Sequence, residues 1–233
     1  MQQIHDEADH GSYNGSLDLS KLALSSNSEK DVKELYNRWA KDYDKDANFY
    51  GYVSHKTCAD IFNVEMTNAF GNDKQKMRIL DVGAGTGIIG QHLKELGYTG
   101  IDGLDISQKM LNIARDKGIY KNLICAALSE KKIDQIQTGY YDALISSGTI
   151  TVGHVLPPAL DEIVRLVKPG GVICFSIRVD VHDSPNYGYK EKMDELLKAR
   201  KWTLVKKQPA VYHTNVGERV EYENCYIFAY RIL

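Results

Sequence analysis

Proline is scarce in this chain of 233 residues, with 5, tryptophan scarcer with 2, and cysteine limited to 4. So little proline, spread thinly, excludes collagen-like and proline-rich disordered architectures. Cys58, Cys125, Cys174 and Cys225 form no Cys-x-x-Cys pair and stand far apart. That spacing argues against a disulfide scaffold and predicts buried free thiols in a reducing compartment. Long apolar runs are missing too: none reaches about 18 residues, the length a membrane-spanning helix needs. The first residues, MQQIHDEADH, are acidic where a secretory signal is basic and then apolar. A soluble cytoplasmic protein without a membrane partner is expected. Charge of one sign is also lacking, the formal net charge being -2. No global positive field would gather nucleic acid or anionic lipid around the molecule.

What remains is an ordinary α/β composition, 43% hydrophobic and 26% charged with 19 glycines. The length suits one domain with an appendage, domains averaging roughly 150 residues. Residues 1–28 are rich in Ser, Gly and Asn and carry Asp6, Glu7, Asp9 and Asp18 against Lys21. They read as a disordered acidic tail, with Leu17, Leu19, Leu22 and Leu24 able to dock its end on the body. From Glu29, Val32, Leu35, Tyr36, Trp39, Ala40 and Tyr43 recur at helical spacing, and a second helix is expected from about Val53 to Phe70. Two helices (29–75) thus precede a core (76–233) in which strands and helices alternate: MRILDV, a helix from Thr86, GIDGLD, a helix from Ser107, NLICAA. YDALIS, a helix near Pro158–Val167, VICFSI, a helix near Tyr189–Arg200, WTLVKK and NCYIFAY complete it. This order predicts a doubly wound, mainly parallel, seven-stranded sheet. The last two strands, with no helix between them, should form an antiparallel edge hairpin.

The sharpest local signal is ILDVGAGTGIIG, where Gly83, Gly85 and Gly87 follow a short apolar strand and precede a helix. Glycine belongs where the backbone must turn abruptly and lie against a ligand, because a Cβ would block the approach. At the end of the next strand Asp105 is placed to accept both hydroxyls of an adenosine ribose. Asp81, two residues before the first glycine, can accept N–H groups of the turn. Gly85, Gly87 and Gly90 also spell G-x-G-x-x-G. A nicotinamide-dependent oxidoreductase therefore stands beside other nucleoside-binding readings.

ILDVGAGTG with GLDISQKMLNIAR, YYDALISSG and LVKPGGVICFS resembles the class I S-adenosylmethionine-dependent methyltransferases over roughly residues 30–233. The resemblance implies a Rossmann-like methyltransferase fold with a helical lid. Its cofactor would be S-adenosyl-L-methionine, converted to S-adenosyl-L-homocysteine. It places Gly83, Ala84 and Gly85, with Asp81, Thr86 and Gly87 of the same motif, around the methionine part, and Asp105 on the ribose. Ile106 and Met110 flank the adenine, and Ser146 completes the set from the end of the fourth strand. Many family members carry an acid after the third strand for the adenine amino group; here Ala127 holds that place. Recognition would fall to groups near Ala127, Leu128 or Ser129. ELYNRWAKDYDKD resembles the family's cofactor-covering helix, putting Tyr36, Trp39 and Tyr43 near the sulfonium, which aromatic faces attract. Tyr50 and Tyr52 flank Gly51 in what reads as a hinge beside the substrate.

His154, in SSGTITVGHV after the fourth strand, falls at the carboxyl edge of the sheet and titrates in the range a general base needs. Arg178 and Asp180, after the fifth strand, could bind a carboxylate or an amine on the acceptor. Tyr187, Tyr189, Tyr212 and His213 lie in connections able to shape a pocket. His5, His10 and His182 show no metal-ligand spacing, so no metal is expected. The fourth strand ends in SSGT rather than the Asn/Asp-Pro-Pro-aromatic pattern that holds a flipped base, which argues against nucleic acid. The favoured reading is methyl transfer to oxygen or nitrogen of a small molecule. A catalytically inactive cofactor-binding scaffold, or a protein methyltransferase, is the alternative.

Overall fold

The computed structural model describes residues 28–217 and 220–233; the expected tail and its leucines lie outside them, apart from Ser28. That residue opens the first helix, its Oγ accepting the Asp31 N–H at 3.2 Å. Helix α1 spans Glu29–Trp39 and buries Val32, Leu35 and Trp39. The pattern that suggested one helix through Tyr43 is broken by a turn at 40–42, and α2 runs Tyr43–Phe49. In an unbroken helix residues 39 and 46 would stand about 10 Å apart along the axis. The turn instead brings Asp46 beneath Trp39, whose indole N–H donates to it at 2.6 Å. Helix α3, Ser54–Phe70, begins within one residue of expectation.

The alternating core follows: β1 Ile79–Val82, α4 Ile88–Glu95, β2 Ile101–Asp105, α5 Gln108–Asp116 and β3 Asn122–Cys125. Then come β4 Tyr141–Ser146, α6 Leu160–Leu166, β5 Val167–Arg178, α7 Val179–Asp183, α8 Tyr189–Lys198, β6 Trp202–Val211 and β7 Asn224–Ile232. Helix α4 starts two residues later than expected because Gly87, at φ 93°, occupies its N-cap in the left-handed region. The short α7 has no periodic signal of its own. The seven strands are ordered β3-β2-β1-β4-β5-β7-β6. Pairings among β1 to β5 are parallel, whereas β7 runs antiparallel to both β5 and β6.

Strand β1 shows how the sheet divides its cores. Leu80 and Val82 enter the cluster holding Phe175, Trp202 and Tyr230, while Ile79 joins Phe62 and Leu93 on the opposite face. Trp202 stacks on Tyr230 with centroids 4.0 Å apart, anchoring β6 to β7. Edge strand β6 is largely exposed, and Lys206, Lys207 and Pro209 blunt it against further pairing. Cys58, Cys174 and Cys225 are buried free thiols, but Cys125 is exposed. It sits at the end of the other edge strand, β3, whose pattern shows no fully buried residue, so the apolar run NLICAA is not core throughout. No helix among the described residues is long and apolar enough to cross a membrane.

Strand order reverses between β1 and β4, the neighbours from which the chain winds in opposite directions. A crevice opens outside their carboxyl ends, the place where doubly wound sheets bind ligands.

Candidate active site

The glycine turn is built around the carboxylate of Asp105. Its Oδ2 accepts the Gly85 N–H at 2.9 Å and its Oδ1 the Ser107 N–H at 2.8 Å, tying the β1 turn to the start of α5. Burial pushes its pKa up to about 6, against these backbone bonds, which lower it. A carboxylate offers about four acceptor positions, and the backbone of Gly85, Ser107 and Ile106 leaves part of that capacity for a ligand hydroxyl. Gly83, at φ 70°, has no room for a side chain: a Cβ there would collide with Thr149. Beside Gly85 a Cβ would meet almost nothing, which leaves that stretch of backbone open to the crevice.

The outer cleft has a volume of about 530 Å³ and is lined by Gly83, Gly85, Asp105, Ile106, Met110, Ala127, Leu128 and Ser129. Tyr36 and Tyr43 close it from the helical side together with Val32, and His154 lies at its inner end. Glu130 and Lys131, which the motifs did not single out, also face the end beyond β3.

Asp81, Ala84, Thr86, Gly87 and Ser146 belong to the wall of neither cavity. Asp81 accepts no turn N–H; Tyr120 donates to its Oδ2 at 2.6 Å, and its buried Oδ1 has no partner among the described residues. Burial pushes its pKa up to about 7, the Tyr120 bond opposing and Asp105 adding to the rise. Gly90, the third glycine of the fingerprint, gives Tyr120 room to reach Asp81. Thr86 donates instead to Asp44 of α2, which also pairs with Lys117 at 2.7 Å. Ser146 donates to the Val82 carbonyl at 2.9 Å, holding β4 to β1. Asp44 and Tyr120 were not legible as site supports, because nothing in sequence connects residues 42 and 39 positions away from their partners.

A second, inner chamber of about 100 Å³ opens beyond Tyr36, Tyr43, Gly148 and His154, which line both cavities. Trp39 faces this chamber rather than the cleft, packed edge-on against Tyr43 at 4.9 Å. Tyr50, Tyr52 and Arg178 line it as well, and so do Tyr212 and His213. Tyr187 and Tyr189 do not; Tyr189 is buried and donates to the Val155 carbonyl at 3.0 Å. Thr151, Asn215 and Tyr222 are further wall residues that sequence reasoning missed. The connection between β6 and β7 lies against residues 51–53: Val53 N–H donates to the Tyr212 carbonyl at 3.1 Å, and Thr214 N–H to that of Gly51 at 3.0 Å. Gly148 lets the Tyr52 and Tyr212 hydroxyls crowd the turn after β4, since its Cβ would lie 3.0 and 3.2 Å from them.

His154 sits at the junction of the two cavities. Its Nδ1 lies 3.1 Å from the Val152 carbonyl, which can only accept, so the proton is on Nδ1. Nε2 therefore carries the free lone pair, and the Tyr36 hydroxyl donates to it at 2.6 Å. Burial lowers the His154 pKa, the Val152 bond opposes this, and Arg178 adds to the lowering. A neutral imidazole aimed at the passage between two cavities can take a proton. Arg178 is buried; Asp180 grips its Nε at 2.9 Å and its Nη2, and its guanidinium lies 4.0 Å from the Tyr222 ring centroid. Among the described residues no His, Cys, Asp and Glu cluster could hold a metal ion.

Residues 80–175 match the methyltransferase domain family model. Methyltransferase-like protein 27 of Homo sapiens is 32% identical over 163 residues, 70% of this chain and 63% of that protein. Demethylmenaquinone methyltransferase of Leptospira interrogans is 29% identical, over 60% of this chain and 57% of that one. The chain thus matches less than two thirds of the length of these relatives. Among solved structures, magnesium protoporphyrin IX methyltransferase from Synechocystis PCC 6803 with bound SAM superposes with a TM-score of 0.62 at 14% identity, covering 88% of this chain and 97% of that one. The [4+2]-cyclase SpnF gives 0.63 at 17% identity over 89% and 97%. Residues 80–175 are thus similar to a methyltransferase domain, and the chain shares the fold of these solved structures.

Proposed function

We propose that the chain is an S-adenosylmethionine-dependent methyltransferase that methylates an oxygen or nitrogen of a small molecule. The observation that carries this reading is the pair of cavities meeting at His154, one lined by the glycine turn and Asp105, the other by aromatic rings. When bound in the outer cleft, S-adenosylmethionine supplies an electrophilic methyl carbon on a sulfonium. Asp105 would accept the ribose hydroxyls through the oxygen positions its backbone bonds leave over. Gly83 and Gly85 would let the amino-acid end lie against the backbone, and Ile106, Met110 and Leu128 would sandwich the base. Tyr36 and Tyr43 would offer ring faces to the sulfonium, an attraction of roughly 0.5–2 kcal/mol. His154 Nε2 would take the acceptor's proton while the inner chamber holds the acceptor in line and excludes water.

The aromatic, nearly uncharged chamber wall favours a metabolite over a nucleic acid, and the scattered cysteines favour a reducing, cytoplasmic setting. Because a [4+2]-cyclase shares the fold, binding and transfer are tested separately. Calorimetric titration with S-adenosylmethionine, S-adenosylhomocysteine and NAD should show binding of the two sulfur compounds and none of NAD. Binding of NAD alone would replace the reading with an oxidoreductase. Cofactor binding without methyl release onto any metabolite extract would favour the inactive scaffold.

A further inference from the structure

The inner chamber also indicates what it accepts, and this inference rests on the methyltransferase reading above. Its free volume of about 100 Å³ is of the order of the 150 Å³ cavities that take a single benzene ring. Trp39, Tyr43, Tyr52, Tyr212 and Tyr222 give its wall flat apolar faces, which suit a planar ring better than a flexible chain. Arg178 supplies the one full charge on that wall among the described residues, and no carboxylate lines it. Asp180 holds the Nε and Nη2 side of the guanidinium from the more exposed side, which fixes its plane. Thr151 adds a buried hydroxyl that has no partner among the described residues. At the other end the Tyr36 phenol donates to His154 Nε2. That bond is an internal copy of the contact a phenolic acceptor would make with the same lone pair.

We propose that the acceptor is a single-ring hydroxyaryl carboxylate: the ring lies among the tyrosines, the carboxylate faces Arg178, and the ring hydroxyl replaces the Tyr36 phenol on His154 Nε2. The hydroxyl proton passes to Nε2 as the oxygen forms its bond to the methyl carbon. The carbon–sulfur bond breaks with its electron pair staying on sulfur, so the positive charge moves from sulfonium to imidazolium. The product is a methoxyaryl carboxylate, not a methyl ester.

The test uses the full chain saturated with S-adenosylhomocysteine, titrated in parallel with the hydroxybenzoate isomers, phenol and tyramine. At least one hydroxybenzoate should bind at least about tenfold more tightly than phenol, a charge-assisted contact being worth about 1.5 kcal/mol or more. With S-adenosylmethionine the same isomer should yield methoxybenzoate, identified by mass spectrometry. Arg178→Met should remove the preference over phenol while leaving S-adenosylhomocysteine affinity unchanged. If that variant does not fold, Arg178→Lys, which keeps the charge and loses the planar fork, should reduce the preference. Tyramine binding in place of hydroxybenzoate, methyl ester as product, or no aryl binding by cofactor-loaded protein would each overturn the proposal. Failure to bind S-adenosylhomocysteine would instead overturn the methyltransferase reading, and this proposal with it.

Discussion

The two cavities are made in different ways. The outer cleft takes one side from short stretches at strand ends, the turn after β1, the end of β2, the start of α5 and the residues after β3, and the other from α1, α2 and the segment after β4. Much of its binding capacity is main chain, or a carboxylate oriented by main chain. The inner chamber is assembled from segments distant in sequence, the α1–α2 region, the turn after β4 and the β6–β7 connection, and its surface is side chain. A backbone cradle demands particular residues at fixed spacing, chiefly glycine, whereas a side-chain cavity can be filled by many combinations. The first therefore leaves a signature in the sequence and the second does not.

This contrast can be broken or sharpened by mutation. The largest effect is expected at the junction. His154→Ala should lower turnover of an acceptor hydroxyl by about 10²- to 10⁴-fold, with S-adenosylhomocysteine affinity little changed in a titration. In the parent the acid limb of the rate profile should lie below the ordinary histidine range, since burial lowers the His154 pKa and activity is lost as pH falls through it. The variant should lack that limb. A cofactor affinity that fell with turnover would show that the two cavities are not separable at His154.

Asp105→Ala should act on the cleft alone, weakening S-adenosylhomocysteine by about 1.5–3 kcal/mol as charge-assisted bonds are lost. Unchanged calorimetric affinity in a folded variant would remove Asp105 from the ribose site. Thr86→Val severs the tie from the glycine turn to Asp44 and should reduce stability by about 0.5–1.5 kcal/mol in urea unfolding. An unaltered midpoint would mean that α2 is not held through this bond.

The smallest effect is expected at Asp81, beneath the cleft. Its folded pKa lies above its unfolded value, so its favourable contribution is present in acid and is lost as pH rises from about 4 through about 7. Asp81→Asn should consequently raise Tm by about 2–4 °C at pH 8 and change it less at pH 5. Equal shifts at both pH values would show that ionisation of Asp81 is not what limits stability.

The strand-helix alternation was legible because apolar runs bounded by glycine and polar turns carry their own period. The mainly parallel sheet and its antiparallel hairpin follow from where helices intervene. The helix expected through Tyr43 was misread because periodicity cannot see the Trp39–Asp46 bond that rewards a break. Gly83, Gly85 and Asp105 were legible as cleft lining because the turn they build is dictated by backbone geometry. Thr86 and Ser146 looked equivalent to them by position, yet their hydroxyls point into supporting bonds. Trp39 was drawn to the cofactor by its place in the helix, and only the turn at 40–42 shows that it faces the inner chamber. Thr151 and Tyr222 carry no local signal at all, and long-range packing alone brings them to the wall.

The threading of β7 between β5 and β6 sets a timetable for synthesis. Both neighbours expose unpaired hydrogen-bonding edges until residues 224–232 have left the ribosome. Strands β1 to β4, whose ends border the outer cleft, can already have paired by then. Tyr222 and the partner strand of Arg178 arrive after every strand of the outer cleft. A ribosome stalled before position 220 would thus present a chain whose outer cleft is complete in sequence and whose inner chamber lacks Tyr222. The emerging polypeptide thus closes its outer cleft before its inner chamber.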